Sequence, residues 1–223
     1  MNPALLNSYT FGNPIRKAYQ KAIDAAQGGK PDNDYKQHRY YILHQLAQYA
    51  TKRFPRLNWV ECGCWHGHST LLLAGIMEGA GRLHVFDSFK GLSEFRPEDV
   101  SPWQDTKEKR AAERAHYASD IHRLRRLVSG YSVDLHKGWI PAVFDGVDVG
   151  EVAFASIDVD LYQPTFDSLA FAYPRLVPGG AIFFDDYGYN CFPGAKKAVD
   201  AYLSTVTPTL FIENPAGSAY LIK

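Results

Sequence analysis

The sequence predicts an α/β fold: a mostly parallel sheet with helices on both faces, an N-terminal helical extension and a C-terminal antiparallel hairpin. Three observations carry this prediction. Short apolar runs at 57–62, 82–87, 131–137, 152–158 and 181–185 alternate with helix-length stretches, the pattern of parallel strands joined by crossover helices. Several of these runs end in glycines or acids, on the sheet edge where open α/β folds place their ligands. After the fifth unit, PTLFIEN and SAYLIK read as two short strands joined at 214–217, whereas a dinucleotide-binding fold would continue with another parallel strand. With 223 residues, 46% hydrophobic and 22% charged, the chain suits one domain spanning 1–223, in which 1–50 is a helical lead-in or lid and 57–223 the α/β core.

Taken in order, the lead-in carries Tyr9, Tyr19, Tyr35, Tyr40, Tyr41 and Tyr49 on helix-like stretches around 15–26 and 35–51. These tyrosines either line an acceptor pocket or subunit contact, or are half-buried where amphipathic helices dock on the core. The first strand runs through VECGCWHGHS into the helical STLLLAGIMEG. Gly63 and Gly67 let the backbone approach a ligand, and the first turn of the helix offers unpaired N–H groups. The spacing is G-x-x-x-G rather than the G-x-G-x-x-G that receives a pyrophosphate, and a purely structural tight turn is the alternative. Glu61, just before the first glycine, would repel phosphates and attract a cationic amino group. The second strand ends at Asp87, where such folds hydrogen-bond a ribose, so the two acids suit opposite ends of a nucleoside carrying an amino acid.

The Pro- and charge-rich segment 90–106, with Phe95, Arg96 and Trp103, follows the ribose acid directly and could form a lid. KEKRAAERAHYASDIHRLRRLVSG then reads as a helical stretch; Glu108, Glu113 and Asp120 break up its arginines, which favours an exposed, ion-paired face over nucleic-acid binding. The fourth and fifth strands end in IDVDLY and FFDDYG. Asp158, Asp185 and Asp186 are hard oxygen ligands without a Cys or His partner and suit Mg²⁺ better than Zn²⁺; the alternative is that they cap the helices that follow. Asp160 would face the same side of a continuing strand as Asp158.

Other reactive side chains attract simpler readings. Cys62, Cys64 and Cys191 are too few for a disulfide framework; the first two suit packing around the glycine loop better than a metal pair, and nothing in sequence beside Cys191 would lower its pKa. His66 or His68 could serve as a general base, but their loop should be occupied by the cofactor.

The runs VECGCWHGHST, VFDSFKGL, KGWIPAVF, ASIDVDLYQPTFDSL, YPRLVPGGAIFFDDYG and PGAKKAVDAY together resemble the class I S-adenosylmethionine (SAM) methyltransferases, and within them the macrocin O-methyltransferase family. The resemblance covers about 59–202. It implies a Rossmann-like sheet and methylation of deoxysugar hydroxyls on macrolide and aminocoumarin antibiotics. It implies SAM held by Glu61, Gly63, Ser69, Asp87 and Ser88, with Gly138 and Trp139 at the adenine; Trp139 could equally anchor the core. It implies Mg²⁺ on Asp158, Asp185 and Asp186, and Asp158 as metal ligand and base together, with Asp160 as rival base or support.

The expected activity is therefore Mg²⁺-dependent transfer of the SAM methyl to a hydroxyl of a sugar or sugar-bearing metabolite, with methylation of catechols or other phenols as the alternative. Lys+Arg and Asp+Glu are equal at 24 each, so no general pull toward nucleic acid or an anionic membrane is expected. The partner expected is a small hydroxylated acceptor, with a homo-oligomer left open. No apolar span is long enough for a transmembrane helix and the N-terminus lacks signal-peptide regions, which leads to a cytoplasmic expectation.

Overall fold

The computed structural model describes residues 20–25, 36–77 and 81–223. The lead-in expectations on Tyr9, Tyr19 and Tyr35 lie outside the described residues, and of the first lead-in helix only 20–25 is described, as helix. The elements are α1 (Lys36–Arg53), β1 (Asn58–Cys62), α2 (His68–Ile76), β2 (Leu83–Asp87), α3 (Lys107–His116), α4 (Ile121–Leu127), β3 (Val133–Lys137), β4 (Val152–Ile157), α5 (Tyr162–Arg175), β5 (Leu176–Phe184), α6 (Pro193–Leu203), β6 (Leu210–Glu213) and β7 (Ala219–Ile222). The strands form one seven-stranded sheet in the order β3-β2-β1-β4-β5-β7-β6. β1 to β5 are parallel, and β7 inserts antiparallel between β5 and β6. The order reverses direction between β1 and β4, so the loops after these two strands open a crevice at the sheet's carboxyl edge.

The sheet core is what fixes that edge. β4 is buried along its whole length, and apolar clusters on both faces include Trp59, Leu73, Leu83, Phe154 and Phe183 on one side and Val60, Phe86, Leu169, Ile182 and Phe184 on the other. Two-sided burial explains why the central strands read as continuous apolar runs rather than alternating ones. α1 presents Arg39, Tyr40, Leu43, Ala47 and Ala50 inward, the three- and four-residue spacing of one helix face.

Three expectations change in detail. β5 starts at Leu176, not at 181, because a register shift between Val152 and Phe154 absorbs the Pro-Gly-Gly run into the strand. The arginine-rich stretch is two helices: Asp120 accepts a hydrogen bond from the His122 N–H at 2.8 Å and caps α4, while Ala118 bridges back to Lys90. Asp160 does not continue a strand. β4 ends at Ile157, and Asp160 stands at φ 60°, so a left-handed turn rather than strand periodicity aims its side chain.

Candidate active site

The crevice is assembled from strand ends. Gly63 has φ +83°, and a Cβ there would meet the Asp158 carbonyl oxygen at 1.8 Å, so the loop after β1 is pressed against the end of β4. The Asp158 N–H donates to the Cys62 carbonyl at 2.9 Å, locking the two loops side by side. Three non-glycine residues take left-handed backbones at this edge: Trp65 after β1, Phe89 after β2 and Asp160 after β4. Such conformations cost of order 1–3 kcal/mol each and cluster at functional sites.

Two hollows share Gly63, Trp65, Tyr117, Asp158 and Asp160, and so form the halves of one cleft. The first is completed by Asp87, Ser88, Leu92, Gly138, Trp139 and Ile140. Asp87 accepts backbone N–H bonds from Cys64 at 2.9 Å and Phe89 at 2.7 Å, tying the β1 loop to the end of β2. Ser88 spends its hydroxyl locally, donating to the Gly91 carbonyl and accepting from the Lys90 N–H. Trp139 is 39% exposed at the rim, which removes the core-anchor reading. Glu61 is not among the lining residues: it lies beneath the loop, its Oε2 accepting the Thr70 hydroxyl at 2.6 Å and its Oε1 without a partner. Burial lifts its pKa to about 7 against the pull of the Ser69 and Thr70 hydroxyls. Segment 90–106 walls this half and is pinned down: buried Asp99 accepts N–H bonds from Arg96 at 2.8 Å and Tyr162 at 2.6 Å.

The second half adds Lys36, Arg39, His68, Ser69, Asp186, Tyr189 and Phe192. Carboxylate oxygens of Asp158, Asp160 and Asp186 all lie within 4.8 Å of one another. Burial, then the neighbouring carboxylates, pushes Asp158 and Asp160 well above the usual range. Asp185 joins the group through shared cations. Its Oδ2 receives Lys36 Nζ at 2.6 Å and Arg39 Nη1 at 2.8 Å; burial alone would raise its pKa, but these two cations hold it down at about 2. Arg39 also bonds Asp186 Oδ1 at 2.9 Å. His68 is buried and stacked on Tyr40, and burial takes its pKa to about 3, so it stays neutral and is a poor base. Cys62 and Cys64 are free and buried, as expected of packing residues.

Sequence reasoning missed Lys36, Arg39 and Tyr117. Burial and the nearby Asp160 and Asp186 push the Tyr117 hydroxyl far above its ordinary pKa, so it remains a neutral phenol. The cations leave only an i, i+3 spacing in the sequence, which does not say what they face.

Comparison with known proteins agrees with this architecture. The chain is 30% identical over 152 residues to 8-demethyl-8-(2,3-dimethoxy-alpha-L-rhamnosyl)-tetracenomycin-C 4'-O-methyltransferase of Streptomyces olivaceus, covering 64% of this chain and 56% of that protein. It is 28% identical to mycinamicin III 3''-O-methyltransferase of Micromonospora griseorubida, covering 64% and 59%. The chain thus aligns with under two thirds of these relatives' lengths. In fold it matches the solved O-methyltransferase NovP with a TM-score of 0.73 at 22% identity, over 92% of this chain and 88% of that one. Among the described residues, no helix is long and apolar enough to cross a membrane. The family model described as macrocin-O-methyltransferase (TylF) matches residues 37–209, which take in every strand from β1 to β5 and, Lys36 apart, the residues named for both halves of the cleft, and the chain belongs to that family.

Proposed function

We propose that this chain is a SAM-dependent O-methyltransferase acting on a hydroxyl of a sugar or sugar-bearing metabolite, assisted by Mg²⁺. The single observation that carries the reading is that a hollow floored by Gly63 and Asp87 and a hollow holding strand-end carboxylates meet at Asp158 and Asp160. The names of the tetracenomycin and mycinamicin relatives support a glycosidic acceptor.

The residues present fit both groups. Asp158 and Asp186 are hard oxygen donors with no thiol or imidazole in their set, and Asp186 Oδ2 is buried without a hydrogen-bond partner. Gly63 removes side-chain bulk from the cofactor half, Asp87 offers its carboxylate, and Gly138 and Trp139 form the flat rim; Ser69, Ser88 and Glu61 support the loops that hold the ligand. When bound, SAM supplies an electrophilic methyl and the cation lowers the pKa of a hydroxyl beside it.

The chain's own residues do the remainder. Asp158 stands at the junction of the halves and takes the hydroxyl proton, with Asp160 beside it. Trp65 and Tyr117 wall both halves, restricting the acceptor to an approach along the cleft, which an in-line displacement requires. Tyr117, neutral, can donate a hydrogen bond without adding charge.

A screen with labelled SAM and Mg²⁺ against nucleotide-linked sugars, glycoside-linked sugars and catechols tests the assignment. Label should pass to a sugar hydroxyl and stop in chelator. Transfer only to catechols would make this a phenolic methyltransferase, a reading to which the rings of Trp65, Tyr117, Tyr189 and Phe192 lend some support.

A further inference from the structure

We propose that the hollow between α1 and α2 is a second ligand site, apart from the cleft, that takes a small carboxylate with an apolar body. The hollow measures about 420 Å³, within the range of small-molecule sites, and shares no lining residue with either half of the cleft. Two helices supply most of its wall. From α1 come His44, Gln48, Thr51 and Lys52, whose three- and four-residue spacing puts them on one face, and from α2 come Leu71, Leu72, Gly75 and Ile76. Lys21 and Tyr131 complete it.

The lining divides by chemistry. Leu71, Leu72 and Ile76 offer apolar surface to the body of a ligand, whereas Lys21 and Lys52 bring two positive charges and no acid lines the hollow. A ligand with one anionic end is selected over a cation. Two polar atoms of the wall also lack partners: His44 is 5% exposed and its Nδ1 has no hydrogen bond, and Thr51 Oγ1 is buried in the same state. Buried polar atoms are rarely left so. Burial holds the His44 pKa down, which keeps the ring neutral and able to donate from Nδ1, as the Thr51 hydroxyl can, to carboxylate oxygens.

Gly75 keeps the hollow open. Nothing lies within 4 Å of where its Cβ would stand, so no close neighbour demands a glycine there, although a helix interior disfavours one. The first turns of the same two helices carry Lys36 and Arg39, and His68 and Ser69, into the cleft. A ligand seated between their later turns therefore braces the helices that reach the reacting groups.

Calorimetric titration of the full chain with octanoate, octanol and octylammonium tests the site without turnover. Octanoate should bind with a Kd of about 1 mM or tighter, and octanol, which keeps the chain and drops the charge, about tenfold more weakly. Octylammonium should be weaker still. Gly75→Leu fills the hollow with a residue that helices favour, so it should fold and lose octanoate affinity by about tenfold or more. Lys52→Gln should weaken octanoate by about three- to fivefold and leave octanol unchanged. Saturating SAM should leave octanoate binding as it was. Equal affinity for octanoate and octanol would remove the anion site, displacement of octanoate by SAM would move the ligand into the cleft, and unchanged affinity in Gly75→Leu would place it elsewhere; each overturns the proposal. If thermal unfolding shows that Gly75→Leu is not folded, Lys52→Gln decides, and unchanged octanoate affinity in it is the overturning result.

Discussion

The two halves of the cleft are built by different means. The cofactor half is made of turns that follow β1, β2 and β3, and its bonds are largely backbone ones: Asp87 to the Cys64 and Phe89 N–H groups, Ser88 to its own loop. The acceptor half is made of side chains that arrive from distant parts of the chain, Lys36 and Arg39 from α1 meeting Asp185 across 149 and 146 residues of sequence. Backbone turns tolerate exchange of most side chains around them, whereas a charged cluster fails when one member is lost. On the proposed reading, the difference teaches where each ligand is met: the cofactor by loops that local sequence dictates, and the acceptor by side chains brought together by tertiary contacts.

The comparison breaks first at the junction. Asp158→Asn keeps an oxygen donor but removes the basic carboxylate, so turnover should fall by about 10²–10⁴-fold while SAM affinity stays near the parent value. Single-turnover rates alongside calorimetric SAM titration read both quantities. If the substitution weakened SAM as much as it slowed transfer, the two halves would not be separable, and Asp158 would belong to the cofactor half as well.

Legibility in the sequence follows the same division. The strand ends, the glycine loop and Asp87 could be placed because apolar runs bounded by Gly and Asp are local signals, and all five parallel strands were located to within a few residues except the start of β5, which a bulge displaced. Asp160 reached the cluster by a turn at φ 60° that no periodicity announces. Lys36 and Arg39 were unreadable as site residues because an i, i+3 basic pair on a helix looks the same whether it faces solvent or four carboxylates; only the docking of α1 on β4 and β5 decides. The seating of Tyr117 was hidden by the break between α3 and α4, which the arginine pattern runs straight through.

A second, smaller effect belongs to the cofactor half. Asp87→Ala removes an acceptor for the Cys64 N–H at 2.9 Å and the Phe89 N–H at 2.7 Å, along with a carboxylate offered to a ligand. SAM binding should weaken by about 1.5–3 kcal/mol, roughly ten- to a hundredfold in Kd. Mn²⁺ affinity, read on the same protein, should not move. Equal losses of both ligands would mean that the loop after β1 positions the acids too, and the boundary between the halves would shift to Gly63.

The smallest effect is a slope rather than a loss, and it concerns Glu61, the acid beneath the cofactor loop. Burial raises its pKa from 4.5 to about 7. A carboxyl with a raised folded-state pKa contributes stability that is complete below the unfolded value, 4.5, and is lost as pH climbs through about 7. The parent should therefore lose stability between pH 5 and 7, by at most about 1.4 kcal/mol per pH unit, relative to Glu61→Gln, which has nothing there to titrate. Denaturant midpoints at pH 5, 6, 7 and 8 measure the difference. Added SAM sharpens it, because an ammonium near the loop favours the ionised carboxylate: SAM should protect the parent more at pH 8 than at pH 5, and protect Glu61→Gln equally at both. Parallel stability curves for the two proteins without SAM would show that the burial shift is absent, and a parent whose protection by SAM ignores pH would make Glu61 a support of Thr70 alone.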